Sequence, residues 1–299
     1  MGGSGGGYYD GSASSKSPSI ETTISAIEAT GVATYLSDLL KSFNERDVEA
    51  IKTHIDTVLQ SLSKEVDSSL NTLLGGSVAK NTYVSGVSDV DSLVFLNSSH
   101  LQSKTPSEVL EYFKGIITDR LPQTNVTAGK MAITINFSDG CSLQLLPAIS
   151  TTNGFKIPNQ NDNSWSKINP KAFTDELTSA NQACGRKVIP LIKLAKGVIA
   201  NLPEKQKITG YHSEALAVDI FKNYTGELRY STMLQHYFSQ ASKLTRTPII
   251  DKAGQSYYVD EYLGSANSAK RKVIADAFDR LSRKMLNSKS IEDWKECFE

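Results

Sequence analysis

Long apolar runs are missing from this sequence. No stretch approaches the roughly 18 consecutive apolar residues of a membrane-spanning helix, and the N-terminus lacks the apolar centre of a secretory signal. No membrane partner is expected, and the chain reads as cytoplasmic. Cysteine is scarce. Cys141, Cys184 and Cys297 are odd in number and spaced like no metal motif, which points to reduced thiols rather than a disulfide framework. An excess of charge is lacking too, because 32 Lys and Arg stand against 32 Asp and Glu. That balance argues against long nucleic acid, which is held by bulk electrostatics. Residues 1–19 are nearly all small or polar. They cannot bury a core and are expected to form a disordered tail, its first seven residues resembling an appended linker.

What is present suits a soluble globular chain of one or two domains: 299 residues, 39% hydrophobic and 21% charged. The informative stretch is Leu73 to Leu96, LLGGSVAKNTYVSGVSDVDSLVFL. It joins a Gly75-Gly76-Ser77 turn to an apolar strand that opens Ser88-Asp89-Val90-Asp91. On a strand, Asp89 and Asp91 share one face, about 6–7 Å apart. Two like charges at that separation repel unless a cation lies between them. A pair of divalent ions would satisfy both and could clamp a phosphoryl group. Glycines in the preceding turn let backbone N–H groups approach phosphate, and a helix starting near Ser77 would direct its positive end there.

Before this stretch, apolar spacing predicts a helix from Ile20 to Phe43, interrupted at Gly31, and a second from Val48 to Val66, both packed on the outer face of the catalytic sheet. After it, Thr105-Pro106-Ser107-Glu108 is a capping box opening a helix. Met131 to Phe137 alternates as a strand, Ser138-Asp139-Gly140 turns, and the returning strand Cys141–Leu146 ends at Pro147. Phe155–Pro158 is a short extended piece and Asn159–Ser164 a loop. From Asn169-Pro170 onward the pattern is helical, with breaks or kinks at Gly185 and Pro190. Lys270-Arg271-Lys272 reads as a solvated helix face.

The composite Gly76-Ser77, Thr82, Gly86-x-Ser88-Asp89-x-Asp91 resembles the signature of the polymerase β type of nucleotidyltransferase. Leu145-Leu146-Pro147-Ala148, Leu191-Ile192-Lys193, Tyr211-His212-Ser213-Glu214 and Tyr262-Leu263-Gly264-Ser265 extend the likeness to about residue 290. Together they resemble the bacterial CD-NTases, relatives of cyclic GMP–AMP synthase and oligoadenylate synthase. The resemblance implies an α+β fold. Residues 20–158 would form a nucleotidyltransferase palm with N-terminal helices, residues 159–299 a C-terminal helical lobe, with the active site in the cleft between them. It implies a monomeric, Mg²⁺- or Mn²⁺-dependent enzyme making a cyclic oligonucleotide second messenger from nucleoside triphosphates, ATP among them. A separate effector protein would sense the product in anti-phage defence. By the same resemblance, Asp89 and Asp91 hold the metals, and Gly76 and Ser77 bind triphosphate. Lys193 falls at the donor triphosphate, Tyr211 where an aromatic ring stacks on a base, and Thr209 where a hydroxyl touches phosphate. Ser265 and Ser268 fall in the region facing the base.

One position departs from the pattern. The family's third metal-binding acid falls three residues before Pro147, where this chain has Gln144. A neutral amide cannot accept the proton of an attacking hydroxyl near pH 7, and it is a weaker ligand for a hard cation. Three readings follow: a synthase that is inactive or impaired, a catalytically dead nucleotide-binding sensor, or a template-independent enzyme that extends RNA. Zero net charge counts against the last.

Overall fold

A computed structural model describes residues 20–45, 48–64, 71–74, 76–85, 87–97, 99–152, 154–159, 162–254, 257–288 and 290–299. The expectations for residues 1–19, Gly75 and Gly86 lie outside the described residues. The chain opens with α1 (Ile20–Asn44) and α2 (Val48–Ser63). A mixed segment follows: β1 (Asn71–Leu74), α3 (Gly76–Ala79), β2 (Val90–Phe95), α4 (Pro106–Arg120), β3 (Asn125–Ala128), β4 (Ile133–Asn136), β5 (Ser142–Thr151), β6 (Gly154–Pro158) and β7 (Trp165–Ile168). Helices complete it: α5 (Pro170–Ala183), α6 (Val188–Ala200), α7 (Gly210–Phe221), α8 (Tyr230–Leu244), α9 (Ala269–Asn287) and α10 (Ile291–Lys295). No helix among the described residues is long and apolar enough to cross a membrane.

The sheet runs β1-β2-β5-β4-β3, with β6 beside the far half of β5 and β7 beside β6. The β2–β5 pair is parallel and sets Asp91 directly beside Gln144. Alternation along β2 buries Val90, Ser92 and Val94. Asp91, Leu93 and Phe95 are thereby left on the opposite face. Val90 and Val94 join Ile55, Val58, Phe113, Ile117, Ile133 and Leu143 in a core shared by α2, α4 and the sheet. Thr105 forms the expected capping box with Glu108, which starts α4 and sets Val109, Phe113 and Ile117 inward.

A second core lies in the helical lobe, and α1 belongs to it. Val32, Leu36 and Leu40 pack with residues of α6 and α8. This corrects the expectation that both N-terminal helices cover the sheet; α2 does, α1 does not. Nor does Gly31 interrupt α1. A side chain there would come within 2.7 Å of Ile291, so this glycine permits the close approach of α1 to α10.

The strand expected to stop at Pro147 runs on to Thr151. Ala148 C=O accepts from Leu96 N–H at 2.9 Å, so the Ala148 backbone faces β2 and the Pro147 backbone faces the other way. There β4 has ended opposite Leu145 and β6 pairs only from Ile149, so the missing N–H breaks no ladder bond. Pro190 does not break α6 either, because it lies in the first turn, where N–H groups have no helical partner. The left-handed Gly185 and Arg186 do end α5. Three short strands, β1, β3 and β7, escape the sequence pattern. Arg271 is no surface residue: it is fully buried, with Nη1 2.6 Å from Asp260 Oδ2.

Candidate active site

The turn before β2 is shaped by contact with Asp91. Gly76 is left-handed at φ 48°, and a β-carbon there would stand 1.6 Å from Asp91 Oδ2. Only glycine meets both demands. Ser77 is buried, and its backbone N–H donates to the Asp91 carboxylate. Burial raises the Asp91 pKa above its ordinary value, and Asp89 and Glu214 add to the rise. The Ser77 N–H and the Lys80 ammonium oppose it without cancelling it. Asp89 is held from the other side, with Gln144 Nε2 donating to its Oδ2 at 2.6 Å. An ionised carboxylate only accepts, so the amide must turn its N–H₂ toward it. Among the described residues, no group of three or more His, Cys, Asp or Glu is placed to hold a metal ion. Asp139, the nearest acid along the hairpin, is bonded instead to His54 at 2.7 Å.

Opposite the acids, α6 supplies Lys196 and α7 supplies Glu214. Lys196 is only 5% exposed, with Nζ 2.8 Å from Glu214 Oε1 and 3.0 Å from the Thr82 carbonyl. Burial lowers its pKa, and Glu214 opposes that shift. Lys80 pairs with the other oxygen of Glu214, and its ammonium lies 5.0 Å from the centre of the Tyr211 ring and 5.1 Å from that of Phe173. Burial pushes the Glu214 carboxyl up, but the two ammonium groups outweigh it and hold the pKa at about 2. Tyr211 is fixed by its hydroxyl, which donates to Asp251 at 2.6 Å, and by an edge contact with Phe173. Burial first, then that hydrogen bond, raises its pKa. Thr209 caps α7, its hydroxyl accepting from His212 N–H at 3.2 Å. The next residue, Gly210, leaves room for the Lys196 stem, which a β-carbon would meet at 3.4 Å.

Two cavities flank the acids. The larger, about 720 Å³, takes in Ser77, Ser88, Asp89, Lys196, Thr209 and Glu214. The smaller, about 370 Å³, is mainly apolar, with Leu93, Met131, Leu146, Phe155 and Phe173. Gly76, Lys80, Asp91, Gln144 and Tyr211 line both.

Of the residues singled out by sequence, Gly76, Ser77, Asp89, Asp91, Gln144, Thr209 and Tyr211 meet in this cleft. Lys193 does not. Its ammonium is bonded to Asn44 at the end of α1, and it lines neither cavity. Lys196, one turn further along α6, points into the cleft instead. Ser265 and Ser268 serve the helical lobe: Ser268 caps α9, and the Ser265 carbonyl accepts from Arg271. Sequence reasoning passed over Lys80, Lys196, Glu214 and Phe173. Lys196 carried a signal, as a lysine among residues of α6 that are otherwise apolar, Leu194-Ala195-Lys196-Gly197-Val198-Ile199.

The family model described as the Second Messenger Oligonucleotide or Dinucleotide Synthetase domain matches residues 31–181. No curated protein matches the chain. Among solved structures, Escherichia coli MS115-1 CdnC with ATP is similar with a TM-score of 0.65 at 17% identity, over 91% of this chain and 97% of that one. Bradyrhizobium diazoefficiens CdnG, a CD-NTase in complex with GTP, has a TM-score of 0.66 at 12% identity, over 89% and 95%. Vibrio cholerae DncV, a cyclic AMP-GMP synthase, has a TM-score of 0.60 at 10% identity, over 92% and 87%. The fold is thus that of the polymerase β-like nucleotidyltransferases.

Proposed function

This chain belongs to the second messenger oligonucleotide or dinucleotide synthetase family, the bacterial CD-NTases, and on that premise we propose that it is built to join nucleoside triphosphates, ATP among them, into a cyclic oligonucleotide. The observation that carries the reading is the meeting of two cavities at one wall made by Asp91, Gln144 and Lys80. The larger cavity, with two ammonium groups and the Ser77 turn, suits a triphosphate. The smaller, with Phe155 and Phe173, suits the base of a second nucleotide. A ribose hydroxyl entering from the second faces the α-phosphorus of the first, the alignment that in-line transfer needs. The product is a signal read by a separate effector in anti-phage defence, and the enzyme acts as a cytoplasmic monomer.

Asp89 and Asp91 present hard oxygen ligands that suit Mg²⁺ or Mn²⁺. The incomplete counter-charge around buried Asp91 is what a cation would relieve. Both residues are assigned to the metal. When bound, the ion polarises the phosphoryl group and neutralises its charge. Lys80 and Lys196 hold the phosphates, and Tyr211 and Phe173 flank the bases. Gln144 takes no proton from the attacking hydroxyl, so transfer in this chain is impaired. A second reading, a nucleotide-binding sensor, is favoured by the bond from Gln144 to Asp89, which gives that carboxylate a protein partner.

Two outcomes test the assignment. Lys196→Ala is expected to weaken ATP binding about 10- to 100-fold, the worth of roughly 1.5–3 kcal/mol of charge-assisted contacts, and AMP binding far less. Lys193→Ala is expected to change neither by more than about twofold, since its contact with Asn44 is an exposed one. Calorimetric titration decides, and the reverse ranking of the two lysines would restore Lys193 to the site.

Asp89→Asn with Asp91→Asn is expected to remove the thermal stabilisation that Mg²⁺ gives the parent. It is also expected to raise the apo melting temperature by roughly 1–3 °C. The sign follows from Asp91. Its carboxyl pKa is raised in the folded state, so ionising it above the ordinary carboxylate range favours the unfolded chain. An undiminished Mg²⁺ shift in the double variant places the metal elsewhere.

A further inference from the structure

Glu214 is the most heavily engaged acid in the cleft, yet it faces neither the acid pair nor open solvent. Its side chain is 1% exposed. Oε1 accepts from the Thr82 hydroxyl at 2.5 Å and from Lys196 Nζ at 2.8 Å, while Oε2 accepts from Lys80. Thr82 and Lys80 follow the phosphate turn on the sheet side of the cleft, whereas Lys196 and Glu214 come from α6 and α7. One carboxylate therefore gathers two ammonium groups from opposite walls, and both line the larger cavity.

The Lys196 ammonium is buried and the Lys80 ammonium partly so, and like charges repel, so neither keeps its aim toward the cavity without a shared counter-ion. A carboxylate bonded to one lysine alone would leave the other to swing out. A carboxylate bonded to both fixes their separation and leaves the trio with one net positive charge. Each ammonium has further protons beyond the one it gives Glu214. One of those on Lys196 goes to the Thr82 carbonyl, and the rest are available to an anion in the cavity. Resting on the nucleotide reading above, we propose that Glu214 is a positioning residue. It holds Lys80 and Lys196 paired across the cleft, one on each carboxylate oxygen, so that together they grip the phosphate chain of a nucleoside triphosphate.

The proposal predicts selectivity rather than affinity at large. A merely structural glutamate, once replaced, would weaken ATP and AMP alike, because a loosened cleft affects every ligand. A glutamate that acts through the lysines would weaken ATP most, because only the longer phosphate chain reaches both. Glu214→Gln keeps the side-chain shape and removes the charge.

The test is calorimetric titration of the full chain with ATP and with AMP, each with Mg²⁺. Glu214→Gln is expected to weaken ATP at least about tenfold and AMP less than about twofold. In a Lys80→Met, Lys196→Met background the same change is expected to alter ATP affinity by less than about twofold, since the groups it acts through are gone. Should Glu214→Gln fail to fold, Thr82→Val takes its place. It deletes one hydroxyl donor to Glu214 while leaving all three charges, and is expected to lower the ATP-to-AMP preference about threefold. Equal weakening of both nucleotides, unchanged binding, or full additivity with the lysine changes overturns the role of Glu214 alone. Failure of the parent chain to bind ATP overturns the nucleotide reading and this role with it.

Discussion

Gln144→Asp is expected to raise nucleotide transfer at least about 10²-fold over this chain, the lower range of what a general base contributes. The rest of the proposed site is in place: the Gly76-Ser77 turn against Asp91, the paired lysines, and Asp91 beside position 144 on the neighbouring strand. Aspartate restores an acceptor for the hydroxyl proton and a third hard ligand. It also removes the 2.6 Å bond from the Gln144 amide to Asp89 and sets a third negative charge beside two. The apo protein should therefore melt lower while Mg²⁺ stabilises it more. Product is read by incubating labelled triphosphates and looking for phosphatase-resistant cyclic species. The gain should vanish in an Asp89→Ala background, and Gln144→Asn should give none. Silence of Gln144→Asp with every pair of triphosphates would make the sensor reading the better one.

Arg271→Met is expected to cost about 3–5 kcal/mol of stability, the usual loss when one partner of a buried ion pair is deleted. The guanidinium has no exposed surface and serves several carbonyls besides Asp260: Thr245, Thr247, Gly264 and Ser265. Methionine fills much of the volume but leaves Asp260 charged and those carbonyls bare. The effect should reach the cleft as well. The segment Arg271 anchors carries Tyr262, whose hydroxyl accepts from Thr209 N–H at 3.2 Å at the start of α7. Urea denaturation measures the cost. Adding Asp260→Asn should recover part of it by removing the stranded charge, and a loss below about 1 kcal/mol would return Arg271 to the class of ordinary polar contacts.

The sequence carried the palm because its signals are local. Asp89-Val90-Asp91 on an apolar strand, the Thr105 capping box and the hairpin at Gly140 each depend on neighbours a few residues away, and the structure repeats them. Arg271 shows the limit. Between two exposed lysines it has the local pattern of a solvated helix, and only the contacts with residues 245–247 and 260–265 make it a core residue. The lysine on α6 shows another. Lys193 and Lys196 both fall near one face of the same helix, and which one enters the cleft is decided by where α1 packs. Asn44 draws Lys193 aside, and Gly197 admits Phe43, whose ring would stand 2.6 Å from a β-carbon there. No spacing within α6 contains that information. Glu214 was visible as a residue and silent as a role, since its partners lie on two other segments.

The docking of α1 has a consequence for how the chain is made. A ribosome releases α1 before any of the sheet, but its apolar stripe fits α6, α8 and α10, which are synthesised much later. Throughout elongation, that stripe faces solvent or chaperone, while α2, α4 and the sheet can already assemble beside it. The two cores therefore do not mature in chain order. The helical lobe can complete only when α1 is captured across nearly the whole length of the sequence, a contact of very high order, which tends to slow folding. The same docking brings Phe43 and Asn44 onto α6, so the helix that carries Lys196 into the cleft gains that support only once α1 is in place.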